Sequence, residues 1–170
     1  MSDGTLERTD AGPRLRFERR LGHPPQRVWA ALTEPEQLKA WFPDTIVVQE
    51  WRVGAPLRFE HAGLDLNFDG EVLAVEEGRL LEFRWGTDRI RFEVEPDGDG
   101  TKLTLLDTID ELGKAARDAA GWHACLDQLE AHLAGSTVPD SMETWRDVHP
   151  GYVEAFGPEA ATIGPPDGAV

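Results

Sequence analysis

The sequence predicts an α+β fold in which a curved antiparallel sheet wraps one long helix. Three observations lead to it. The stretch Leu21 to Phe42, LGHPPQRVWAALTEPEQLKAWF, reads as two short helices directly behind a strand. About six strand-like runs follow, with no helical spacing among them. A long amphipathic helix containing GWHACLDQLEAHLAG, Gly121 to Gly135, then closes the domain. Strand, two short helices, meander and long helix make the plan of a helix-grip fold. In that plan a sheet of six to seven strands curls around the last helix and leaves a cavity between them.

Each element has a local reason. Met1 to Gly12 is polar and is expected to be a disordered lead. Leu15 and Phe17 alternate with Arg14, Arg16 and Glu18, the period of a half-buried strand. Pro24 and Pro25 stop that strand and suit a helix start, where the missing N–H has no partner to lose. Val28, Trp29 and Leu32 keep to one helical face. Thr33 and Glu36 have the spacing of a capping box for the second short helix, which ends at Trp41-Phe42-Pro43. Six strands are then expected. They are Thr45 to Trp51, Ala55 to His61, and the runs centred on Phe68 to Val72, Leu81 to Trp85, Ile90 to Val94 and Leu103 to Ile109. Short turns at Glu77-Gly78, Gly86-Thr87-Asp88 and Pro96 to Gly100 make the meander antiparallel. From Lys114 to Ala134, Trp122, Leu126, Leu129 and Leu133 form one helical stripe, bordered by Cys125 and stopped by Gly135. The domain is therefore expected at 13–135. An extension at 136–170 carries a short docked helix, from the spacing of Met142, Trp145, Val148, Tyr152 and Phe156, and a flexible tail.

Composition narrows the function classes. The chain has 170 residues, 40% of them hydrophobic and 29% charged, as in ordinary globular domains. Acids outnumber bases 32 to 17, and the net charge of -15 repels phosphate backbones and anionic lipid. Neither nucleic acid nor a membrane surface is expected as a partner. The single cysteine, Cys125, forbids an intrachain disulfide. No apolar run approaches a membrane span and the N-terminus lacks a secretory core, so a cytoplasmic location is the default expectation.

With these elements in place, PPQRVWAALTEPEQLKAWF, FDGEVLAVEEGRLLEFRW, EPDGDGTKLTLLDT and GWHACLDQLEAHLAG resemble, in order and spacing, the START-like or SRPBCC superfamily. Within it the chain is most similar to the group named after the activator of Hsp90 ATPase, the AHSA1-like proteins. The resemblance spans most of Leu15 to Gly135. It implies a hydrophobic cavity of the START-like, Bet v 1-like kind, in a superfamily that includes lipid carriers, hormone receptors, polyketide cyclases and co-chaperones. Many relatives carry a histidine where this chain has Asp107.

No zinc-ligand spacing, nucleophile elbow, P-loop or dinucleotide fingerprint is present in the sequence, and no cofactor or metal is expected. Asp107 is the polar residue most out of place. It follows Leu103 and Leu105 on the inner face, where a carboxylate needs a partner or a raised pKa. Parity places Phe83, Trp85, Phe92, Leu105, Trp122 and Leu126 around a cavity with Asp107 as its polar anchor, and Trp41, Phe42 and Trp145 are expected to close one end of it. Three functions compete. The favoured one is binding of a small hydrophobic or aromatic molecule without chemistry. The second is a cyclase or dehydratase using Asp107, which a second inward polar residue near it would support. The third is a co-chaperone-like module acting on a protein partner, which a large exposed apolar patch would support. The extension is expected either to cover one cavity end or to form a homodimer contact.

Overall fold

A computed structural model describes residues 3–61 and 65–164, and the tail expected from Gly164 to Val170 lies, after its first residue, outside the described residues. Eight strands form one antiparallel sheet: β1 (Thr5–Thr9), β2 (Gly12–Leu21), β3 (Thr45–Val47), β4 (Pro56–His61), β5 (Leu66–Glu76), β6 (Leu80–Trp85), β7 (Asp88–Asp97) and β8 (Gly100–Thr108). Their order across the sheet is β1-β2-β8-β7-β6-β5-β4-β3. Two short helices, α1 (Pro25–Thr33) and α2 (Pro35–Leu38), lie between β2 and β3, and α3 (Ala115–Ala134) and α4 (Ser141–Phe156) follow the sheet.

The eighth strand is β1, which pairs Thr5 to Thr9 with Arg16 to Gly12 inside the stretch expected to be disordered. Backbone pairing and the ion pair of Glu7 with Arg14, at 2.6 Å, hold this edge strand, whose side chains are exposed or half-buried. Two further local expectations are corrected. The strand expected to reach Trp51 stops at Val47. The capping box does not form: Thr33 is still helical and donates Oγ1 to the carbonyl of Trp29, while Pro35 already supplies the start of α2.

Curvature arises in β5. A bulge shifts the register between Val72 and Ala74, and a Cβ at Gly70 would fall on the carbonyl oxygen of Arg84 and the ring of Phe59. The sheet closes around α3, whose inner side is small residues first, Ala115, Ala116, Ala119 and Ala120, then the stripe Trp122, Leu126, Leu129 and Leu133, all buried. Gly135 ends the helix in the left-handed region (φ 68°), with its N–H on Ala131 and His132 carbonyls. Arg19 of β2, 3% exposed, braces α3 through Asp127 and Glu130, each 2.9 Å away.

Across the back of α3 lies α4, a helix of sixteen residues. The hydroxyl of buried Tyr152 meets the Gly4 N–H at 2.9 Å and Nδ1 of His123 at 2.8 Å, joining α4, α3 and the start of the chain. Burial lowers the pKa of His123 and raises that of Tyr152 to about 12, so both stay neutral. Among the described residues no helix is long and apolar enough to cross a membrane.

Candidate functional site

The inner face of the sheet brings together two acids that lie far apart in sequence, on either side of the turn between β7 and β8. Asp107 on β8 stands opposite Ile90 of β7, and Asp88 lies two residues before Ile90 on the same face. Asp118 approaches them from α3, one turn before Trp122. One oxygen of each of the three carboxyls lies within 4.8 Å of the other two, a juxtaposition that spacing along the chain does not reveal. Asp107 is fully buried, and its Oδ2 accepts from Trp122 Nε1 at 2.8 Å, while Oδ1 meets no donor among the described residues. A proton on Asp107 resolves this orphan, because the carboxylic acid then donates to Asp88. Burial, then the neighbouring charge of Asp88, drives Asp107 well above the usual carboxylate range, against the pull of the Trp122 hydrogen bond. Burial also raises Asp88, to about 6, against the hydrogen bond from Asp107. Asp118 is raised by burial, offset by its 2.7 Å bond from Arg117 Nε.

Beside this cluster, sheet and helix separate into a cleft of about 440 Å³. Phe68 and Trp85 form the sheet wall, Gly121, Trp122 and Cys125 the α3 wall, and Met142 and Trp145 of α4 one rim. A shallower groove of about 450 Å³ shares Leu66, Phe68, Trp85, Arg117 and Asp118 with it and reaches Asp88.

Of the ten residues expected around a cavity, Trp85, Trp122 and Trp145 line this cleft. Phe83, Phe92, Leu105 and Leu126 lie in closed core, each at most 1% exposed. The reason is Phe42. Its ring occupies the space between sheet and helix, with centroids of Phe59, Phe83, Trp85 and Trp122 at 5.7 to 6.4 Å. Trp41 packs edge-on to Phe42 and to Phe92, both at 5.8 Å, and donates Nε1 to the Ala31 carbonyl. Trp41 and Phe42 thus plug the middle rather than close an end. Asp107 does not face the cleft; it anchors the indole of Trp122, which does.

A second polar group, the pair Asp44 and His61, lines the cleft. Thr45 pairs with Glu60, so Asp44 and His61 meet at the next step of the β3–β4 ladder. His61 Nδ1 lies 2.5 Å from Asp44 Oδ1, and Trp85 Nε1 donates to Asp44 Oδ2 at 2.8 Å. Parity carried the signal: His61 follows Leu57 and Phe59 on their face. Cys125 shares the cleft, but burial, helped by the charge of Asp44, pushes its thiol up to about 12 and keeps it inert.

Comparison with known proteins fits this geometry. The family model described as activator of Hsp90 ATPase homolog 1-like protein matches residues 22–134. The solved structure of EF2215 from Enterococcus faecalis superposes with a TM-score of 0.74 at 23% identity, covering 89% of this chain and 88% of that one. CalU16 from Micromonospora echinospora gives 0.72 at 23% identity, covering 91% and 97%. DynU16, described as a protein of the dynemicin biosynthetic locus, gives 0.65 at 26% identity, covering 75% of this chain and 50% of its own. No curated protein matches the sequence.

Proposed function

This chain belongs to the activator of Hsp90 ATPase homolog 1-like family, and on that footing we propose that it binds a small apolar or aromatic molecule in the cleft between β6 and α3. The observation that carries the proposal is the cleft itself. Its volume of about 440 Å³ suits a small organic ligand, and its walls are Phe68, Trp85, Trp122, Met142 and Trp145 with few polar groups. Family membership alone does not choose between the lipid, polyketide and chaperone roles of such folds. The resemblance to DynU16 supports a small molecule, since that relative sits in a biosynthetic locus. The net charge of -15 favours a neutral ligand over an anionic one.

The other two readings have less support. Asp88 does stand close to Asp107, as a cyclase or dehydratase would want, but Asp107 is fully buried and outside the lining of the cleft. For a protein-interaction module, the large hydrophobics exposed among the described residues are scattered: Val47, Val53 and Val138, with Leu66 at the cleft.

Gly121 provides the test. It lines the cleft, sits inside α3, and a Cβ there would meet, beyond its own helix backbone, no atom of the described residues within 4 Å. Gly121→Phe is therefore expected to fill the cleft without unfolding the helix, whose propensity it raises. The neutral dye N-phenyl-1-naphthylamine should bind wild type with enhanced fluorescence and quenching of the cleft tryptophans, and should lose both signals in the variant. Equal binding by the two proteins would place the ligand elsewhere.

A further inference from the structure

We propose that His61, oriented by the buried carboxylate of Asp44, is a general base that moves a proton on an aromatic carbonyl compound held in the cleft. The proposal rests on the ligand-binding reading above and adds a reaction to it.

The geometry fixes which nitrogen does the work. The Asp44 side chain is 2% exposed and accepts at both oxygens, from Trp85 Nε1 at 2.8 Å and from His61 Nδ1 at 2.5 Å. The indole N–H is a donor only, so Asp44 is an acceptor there. With the carboxylate ionised, its other oxygen is an acceptor too, and the His61 proton sits on Nδ1. The lone pair of Nε2 is then the basic site. Among the described residues Nε2 has no hydrogen-bond partner, and Asp44 forms no ion pair except with His61. A buried negative charge with a single imidazole beside it stabilises the imidazolium that forms when Nε2 takes a proton. Both residues line the cleft, as does Arg117, whose Nε is bonded to Asp118. The cleft thus combines aromatic walls, one oriented base and one cation. This set suits a neutral aromatic ligand with a carbonyl and an acidic hydrogen on the adjacent carbon.

The step balances without an oxidant or cofactor. Nε2 removes the α-hydrogen as a proton. The pair of the C–H bond forms the carbon–carbon double bond, and the carbonyl π pair moves onto oxygen as the enolate. The imidazolium then returns a proton to carbon, at the same position or at a conjugated one. Asp44 acts through His61 and is a positioning residue. Cys125 does not compete as base, since its thiol, pushed up to about 12, stays protonated.

The test uses 2-tetralone, a neutral aromatic ketone, on the full chain in deuterium oxide. Binding is read by tryptophan quenching and exchange of the α-hydrogens by proton NMR. Wild type should bind the ketone and speed its exchange. His61→Gln should keep the affinity and lose about 100-fold or more of the acceleration. In Asp44→Asn the amide oxygen still accepts from Trp85, while the amide N–H donates to Nδ1 and forces the ring proton onto Nε2. That variant should bind the ketone, fail to accelerate exchange, and show the reversed tautomer of His61 by 15N NMR. A purely structural pair would leave exchange unaltered in both variants. Binding without acceleration, or acceleration undiminished by His61→Gln, overturns the base. Exclusion of the ketone while N-phenyl-1-naphthylamine still binds overturns the carbonyl substrate class. Exclusion of both probes overturns the ligand-binding reading beneath it.

Discussion

Asp88 sits against a fully buried Asp107, and the pair is comfortable only while one of the two is protonated. The folded-state pKa of Asp88 is raised from 3.8 to about 6, chiefly by burial. A raised carboxyl pKa means that the folded state holds the proton more tightly than the unfolded chain does. The stabilisation is therefore full below pH 3.8 and is lost as pH rises through about 6. Asp107, raised well above its ordinary value, adds a loss of the same sign. Asp88→Asn removes one charge while its amide oxygen still accepts from Asp107. Its stability relative to wild type should rise between pH 4 and pH 7.5 by up to about 3 kcal/mol, read from urea midpoints. A difference independent of pH would mean that the pair is not proton-linked. The same residues explain why Asp107 misled as a cavity anchor: strand parity gives the face of a side chain, not whether a tryptophan lies between it and the opening.

Helical and strand periods were the legible part of the chain at the scale of elements. The stripe on α3 follows directly from the spacing of Trp122, Leu126, Leu129 and Leu133. Leu126 is 1% exposed beneath the sheet. Leu126→Ala should destabilise the fold by roughly 2–5 kcal/mol, through lost transfer energy and a cavity that rigid neighbours do not close. A midpoint close to wild type in urea would show that the stripe tolerates a hole. The elements that were not legible lack a buried period. In β1, TLERT offers no buried face and is held by backbone pairing with β2. Thr33 has the residue type of a cap, yet α1 runs through it and a proline starts the next helix. Trp85 and Trp122 at the cleft were readable from parity, whereas Phe42 follows a four-residue helix that has no period, so nothing in the sequence placed its ring in the middle of the core. His61 was readable as the third inward residue of β4, but its partner Asp44 lies just before a strand of three residues.

The extension beyond Gly135 belongs to the site as much as to the fold. Met142 and Trp145 of α4 form one rim of the cleft, and Trp145 is fixed by its Nε1 bond of 3.0 Å to the Arg117 carbonyl. Arg117 in turn holds Asp118 at 2.7 Å, so the apolar rim on α4 and the polar group on α3 are both bonded to one residue. The apolar face of α4 is used within the chain: Trp145, Val148, Tyr152, Val153 and Phe156 all pack on the core. Little of that face is left for a second copy, and the chain is expected to sediment as a monomer. Truncation after Gly135 separates the two roles considered for the extension. It removes the cleft rim and unpairs the Gly4 N–H and His123, both satisfied by Tyr152. Leaving these groups without their partner costs about 1–3 kcal/mol each where they remain buried. The truncated chain should therefore show a lower urea midpoint and weaker binding of N-phenyl-1-naphthylamine, with no change of sedimentation coefficient beyond its smaller mass. Tyr152→Phe isolates the structural part, since it keeps Met142 and Trp145 in place: it should lower the midpoint and leave dye affinity intact. If truncation spares both stability and affinity, α4 is not part of the site. If wild type sediments as a dimer and the truncated chain as a monomer, the face of α4 serves a second copy instead.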